Sequence, residues 1–133
     1  MNEGYIAQSI IDAILEVASK RNATKIKSAT IVIGQLKFID KEALTKAFKA
    51  LSKKTAAEGA ELKIKVKTAE FKCKNCNFQW RLNEELINAR DIILLQLSPE
   101  YINQVIKCPI CMSKNCEVLS GYEMYIENVE III

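Results

Sequence analysis

A chain of 133 residues, half of them hydrophobic, can build one modest core and is too apolar to stay disordered. Its formal charge of +3 is too weak a balance to point to a polyanionic partner. It contains no histidine, which excludes serine–histidine and cysteine–histidine nucleophilic catalysis and every metal site that needs imidazole.

Residues 4 to 20 read as an amphipathic helix, with Ile6, Ile10, Ala13, Ile14, Val17 and Ala18 at helical spacing. Residues 25 to 33 alternate and are rich in β-branched side chains, which predicts a strand ended by Gly34-Gln35. Asp40 suits the N-cap of a second helix over about 41 to 57 that buries Leu44, Ala47, Phe48 and Leu51, with Gly59 as its stop. Residues 61 to 71 alternate again, as a half-exposed strand.

Two cysteine pairs follow, Cys73-Lys74-Asn75-Cys76 and Cys108-Pro109-Ile110-Cys111. Each pair can place two thiolates on one tight turn, and together they supply the four-sulfur tetrahedral cage of a structural Zn²⁺ site. A redox motif does not need a second copy, so zinc is favoured over thiol–disulfide chemistry. Four protein ligands leave no open position for water or substrate, so the metal is scaffold and the chain is not read as an enzyme. Counting one Zn²⁺ and four thiolates lowers the formal charge from +3 to +1.

Between Cys76 and Cys108 lie 31 residues, 77 to 107, which is long for a minimal ribbon. Ser98-Pro99 predicts a short helix over about 99 to 106, whose apolar Tyr101, Ile102, Val105 and Ile106 need cover. That surface, with the run Ile92 to Leu97, gives a homodimer as one expectation. Tyr122, Met124, Ile126, Val129 and Ile131 to Ile133 form a last strand after Gly121.

The expected fold class is therefore α+β: a small three-stranded sheet with two helices, plus an inserted zinc-ribbon-like lobe. The α+β domain covers 1–71 and 120–133, and the zinc lobe covers 72–119. The longest aliphatic runs are far too short to span a bilayer, and the start Met1-Asn2-Glu3 does not resemble a secretory signal. Zinc thiolates and an odd number of cysteines fit a reducing cytoplasm better than a disulfide framework. The excess of lysine over arginine and the abundant isoleucine lean toward a thermophile.

In this order the chain resembles the HypA/HybF family of nickel metallochaperones, which help mature [NiFe] hydrogenases and, in some bacteria, urease. The resemblance covers nearly the whole length. It is carried by Ile33-Gly34-Gln35-Leu36, Glu42-Ala43-Leu44, Ala47-Phe48, Glu58-Gly59-Ala60-Glu61-Leu62, both cysteine pairs, and Gly121-Tyr122-Glu123-Met124. The resemblance implies zinc on Cys73, Cys76, Cys108 and Cys111, and transient nickel at the N-terminus, on a Met-His-Glu start. It also implies a HypB-like GTPase and the hydrogenase large subunit as partners.

Here the start is Met1-Asn2-Glu3, so the nickel candidates are Met1, Asn2 and Glu3, with Asn2 where the family has histidine. A carboxamide is a poor donor for Ni²⁺, and backbone amides resist deprotonation without a strong anchoring ligand. The plainer role for Asn2 is a helix N-cap, with Glu3 complementing the positive end of the first helix.

The competing reading is a zinc-ribbon nucleic-acid-binding module, in which Lys72, Lys74, Arg81, Lys107 and Lys114 contact phosphates while Phe71, Phe78 and Trp80 stack on bases. The small net charge favours instead aromatics packed over the zinc turns and solvated lysines. Cys116, the odd cysteine, is read as a reduced structural residue of the lobe, with a soft-metal role alongside Met112 as the alternative.

Overall fold

The computed structural model describes residues 2–133. Its elements are α1 (Glu3–Lys20), β1 (Lys25–Gly34), α2 (Lys41–Leu51), β2 (Glu61–Lys67), β3 (Glu70–Cys73), β4 (Gln79–Arg81), α3 (Ala89–Leu97), α4 (Ile102–Val105), β5 (Cys116–Ser120) and β6 (Met124–Ile132). Single 3-10 turns lie at Gln35–Lys37, Glu84–Leu86 and Pro99–Tyr101. The strands make two three-stranded sheets, ordered β2-β1-β6 and β4-β3-β5. The chain forms two compact units, one of Met1–Ile33, Ile39–Lys65 and Met124–Ile133, the other of Gly34–Phe38 and Val66–Glu123. Among the described residues no helix is long and apolar enough to cross a membrane.

In the first unit, α1 turns Ala7, Ile10, Ile11, Ile14 and Ala18 inward, and α2 adds Leu44 and Phe48. These pack against Ile26, Ala29, Ile31 and Ile33 of β1. The spacing from Ile26 to Ala29 is odd for a strand, in which one face recurs every second residue. A register shift between Ile26 and Ser28 in the antiparallel β1–β6 pairing absorbs the extra residue and returns Ala29 to the core face. A second shift at Thr30/Ile31 does the same for β6, whose Ile126, Val129 and Ile131 all reach the core. On β1, Ser28 and Thr30 are also buried. Ser28 Oγ donates to Glu130 Oε1, and Lys63–Glu130 and Lys65–Glu127 link the two edge strands.

The α+β class and its three-stranded sheet with two helices agree with the sequence reading. The second helix is shorter than expected, ending at Leu51 rather than near 57. Hydroxyls end it: Ser52 Oγ donates to the Lys49 carbonyl, Thr55 Oγ1 donates to the Ser52 carbonyl, and Lys54 turns to φ 64°. Leu51 is consequently exposed, and Gly59 (φ +79°) serves the following turn instead of stopping the helix.

The expected single strand over 61 to 71 is two, β2 and β3, in different sheets. Between them, the Ala69 N–H donates to Gln35 Oε1 and the Thr68 carbonyl accepts from Ser120 Oγ.

In the second unit, β3 pairs antiparallel with both β4 and β5. Its core is Leu36, Ala69, Phe71, Leu95, Ile102 and Ile106. The expected helix over 99 to 106 is a 3-10 turn with Pro99 leading, continued by the single turn α4; the Ser98 hydroxyl bonds the Glu100 carboxylate rather than capping. Helix α3, capped by Asn88 on the Asp91 N–H, has no counterpart among the elements expected from the sequence. It brings Leu95 to cover Ile102 and Ile106, so the expected shortage of cover is met inside the unit. Ile93 and Leu97 remain exposed.

Two glycines permit a tight backbone approach in this unit. A Cβ on Gly34 would lie 2.0 Å from the Gly121 carbonyl oxygen, and Gly121 itself sits at φ +129°. The approach allows Leu36 N–H to bond the Gly121 carbonyl at 2.9 Å and Gly34 N–H to bond the Glu123 carbonyl at 2.6 Å.

Candidate metal centre

Cys73 is the last residue of β3, and the turn to β4 carries Cys76; Cys108 and Cys111 lie on the turn before β5. The two turns are built alike. In the first, Asn77 N–H bonds the Cys73 carbonyl at 2.9 Å and Cys73 N–H bonds the Phe78 carbonyl at 2.8 Å. In the second, Met112 N–H bonds the Cys108 carbonyl at 2.9 Å and Cys108 N–H bonds the Ser113 carbonyl at 2.9 Å. Each needs a left-handed residue directly after its second cysteine: Asn77 at φ 65° and Met112 at φ 63°. Asparagine tolerates that conformation, whereas methionine is strained there.

Both turns also aim backbone N–H groups at sulfur. Cys76 N–H points at Cys73 Sγ (3.5 Å), and Ile110 and Cys111 N–H point at Cys108 Sγ (3.4 and 3.5 Å). Such donors stabilise thiolates. The four Sγ atoms lie within 4.8 Å of one another, Cys73 and Cys111 at 3.5 Å, Cys76 and Cys108 at 3.6 Å. A tetrahedron with Zn–S of about 2.3 Å has edges of about 3.8 Å. The donor set is all soft sulfur, and its spacing fits zinc.

The protonation pattern of the thiols alone has the same origin. The Cys76 N–H leads the effects that pull the Cys73 thiol down to about 6, against burial. At Cys76 the Phe78 backbone works to lower the value, but burial and the bonds shared with Cys108 and Cys73 win, and it is pushed up to about 12. One cage cannot hold several uncompensated negative charges, and a divalent cation inverts that preference.

Cys116 stands outside the group of four. It is on β5, half-buried, with its Sγ on the Ser113 carbonyl at 3.4 Å. Burial, then the Cys73 and Cys108 charges, raise its pKa. Its register makes it the cross-strand neighbour of Cys73, a relation the linear spacing conceals.

The aromatics of the lobe pack on one another. Phe71 is fully buried, its ring 5.6 Å from Trp80, and Phe78 stacks on Trp80 at 6.1 Å.

Of the N-terminal candidates, Met1 lies outside the described residues. Asn2 caps α1, its Oδ1 accepting from the Tyr5 N–H at 3.3 Å. Glu3 accepts from the Asp40 N–H at 3.1 Å. Burial raises the Glu3 pKa, but hydrogen bonds including that one outweigh it and hold the carboxyl below its usual range.

A small α+β unit joined to a lobe with two matched cysteine turns defines a metal-binding protein whose cage is closed by protein sulfur. The chain belongs to the HypA family, whose model, described as "Hydrogenase/urease nickel incorporation, metallochaperone, hypA", matches residues 1–131. It is 36% identical to the hydrogenase maturation factor HypA of Pyrococcus horikoshii, over 98% of this chain and 96% of that protein. The corresponding factor of Ignicoccus hospitalis is 33% identical, with the same coverage. The solution structure of the nickel metallochaperone HypA from Helicobacter pylori is similar, with a TM-score of 0.58 and 25% identity over 99% of this chain and 98% of that one. The chain is thus a HypA-family metallochaperone of hydrogenase maturation, and its four clustered cysteines fit the structural zinc.

Proposed function

We propose that this chain acts without catalysis of its own, as a cytoplasmic adaptor that hands nickel to a [NiFe] hydrogenase precursor through protein contact. Cys73, Cys76, Cys108 and Cys111 hold Zn²⁺, which fixes the shape of the lobe over 72–119. The α+β domain, 1–71 and 120–133, presents α1 and its leading residues to the partners, a HypB-like GTPase and the hydrogenase large subunit. The single observation that carries this reading is the family match over nearly the whole chain, with the cysteine cage intact.

Nickel would use Met1, Asn2 and Glu3, and this chain holds it weakly because Asn2 offers a carboxamide that already caps α1. Calorimetric titration with Ni²⁺ tests this: the expected result is weak binding that Asn2→His strengthens at least tenfold, a gain of about 1.4 kcal/mol. Tight one-to-one binding by the unaltered chain, lost when the α-amine is blocked, would overturn it. The exposed Ile93 and Leu97 of α3 support a homodimer, which light scattering would reveal by mass.

A further inference from the structure

Four thiols make the cage, and a fifth outside it, Cys116, has one of them as its specific neighbour. Cys73 and Cys116 are directly paired across the antiparallel β3–β5 ladder. The Cys73 N–H goes to the Phe78 carbonyl, and the flanking Lys74 N–H goes to the Asn115 carbonyl. That pattern makes Cys73/Cys116 a non-hydrogen-bonded pair, in which Cα atoms lie about 4.5 Å apart and side chains approach most closely on one face. A disulfide needs a Cα separation of about 4.4–6.8 Å, and the usual spacing of a non-hydrogen-bonded pair falls at the near end of that range.

We propose that Cys116 is the resolving thiol of the cage: under a hydroperoxide it ends in a disulfide with Cys73, and the cage gives up its metal reversibly. Cys76 and Cys111 are exposed, while Cys73 and Cys108 are buried, so oxidant meets Cys76 or Cys111 first. The Cys111 sulfur attacks a peroxide oxygen; the O–O bond breaks, the sulfur becomes a sulfenic acid, and the hydroperoxide is reduced to its alcohol, or to water for H₂O₂. Cys73, 3.5 Å away, then attacks the sulfenic sulfur; the S–S bond forms and water leaves with the thiol proton. The Cys116 thiolate next attacks the Cys73 sulfur, and Cys111 departs as thiolate. Two thiols and one hydroperoxide have become one disulfide, one alcohol and one water. Three cage thiols survive unoxidised, and a small dithiol reverses the link by the same exchange.

This inference rests on the zinc reading of the cage, so zinc content is measured first. Purified full-length protein is treated with one equivalent of H₂O₂, released zinc is followed with a chromophoric chelator, and disulfides are mapped by mass spectrometry after thiol blocking. The expected result is loss of one zinc, a predominant Cys73–Cys116 link, and recovery of the metal after dithiothreitol and zinc. In Cys116→Ser, zinc is still lost but the link found is Cys73–Cys111. Oxidised wild-type protein in which Cys116 remains a thiol while other cysteines are linked overturns the proposal. Protein holding no zinc before oxidant is added removes the cage reading, and this proposal with it.

Discussion

Alanine at Gly34 would put a methyl group into backbone. Its Cβ would meet the Gly121 carbonyl oxygen at 2.0 Å, the Gly121 carbonyl carbon at 2.2 Å and the Tyr122 nitrogen at 2.6 Å. Ordinary carbon contacts begin near about 3.5 Å, so the backbone must part by more than an ångström. That parting breaks the Leu36–Gly121 and Gly34–Glu123 hydrogen bonds, each contributing about 1 kcal/mol net. It also opens the packing of Leu36, whose Cδ1 lies against Gly121. Strain from overpacking adds about 1–3 kcal/mol, for a total of about 3–5 kcal/mol. Urea unfolding followed through Trp80, the only tryptophan, reads the second unit directly. Gly4→Ala, in the first turn of α1 where an added Cβ meets nothing within 4 Å, is the control and should leave stability unchanged or slightly raised. A Gly34→Ala protein within about 0.5 kcal/mol of wild type would refute the reasoning.

Stripping zinc with a chelator should expose amides of residues 66–123 to hydrogen exchange while α1, β1 and β6 stay protected, because the second unit has only six buried apolar core residues and needs a staple. Equal protection with and without metal would contradict the structural role. Met112→Gly should stabilise the metal-loaded protein by about 1 kcal/mol in urea, since glycine accepts φ 63° freely; a destabilised variant would show that the methionine side chain matters more than its backbone. The Ser28 hydroxyl, followed by Lys63, depresses the pKa of Glu130. A carboxyl lowered by folding adds stability that is full above its unfolded value, near 4.5, and is lost as pH falls through the folded value. Glu130→Gln should therefore flatten the acid limb of stability between neutral pH and pH below 4.5, and an unchanged limb would place that dependence elsewhere.

The cysteine pairs were legible because each ligating turn is local: two thiols, a tight bend and a following residue all fall within a few positions. Both helices of the first unit and its central strand were legible for the same reason, since 3.6-residue and two-residue periods are written in neighbouring side chains. The end of α2 was not, because Ser52 and Thr55 compete with the helix through hydroxyl bonds that composition alone does not rank against continuation. Neither was the break at Thr68-Ala69. It depends on Gln35 and Ser120, far away in sequence, supplying partners for backbone groups. Helix α3 hid in an apolar run too short for a clear period, and its place in the core with Leu36, Phe71, Ile102 and Ile106 is what gives it a surface to cover. The Cys73–Cys116 relation is likewise a matter of strand register, invisible until β3 and β5 are laid side by side.

X-ray absorption at the zinc edge, on protein purified without added metal, is the most direct test of the cage. Two matched turns converging four sulfurs predict one zinc per chain with four sulfur neighbours at about 2.3 Å. A first shell containing nitrogen or oxygen, or protein that carries no zinc, would contradict the account.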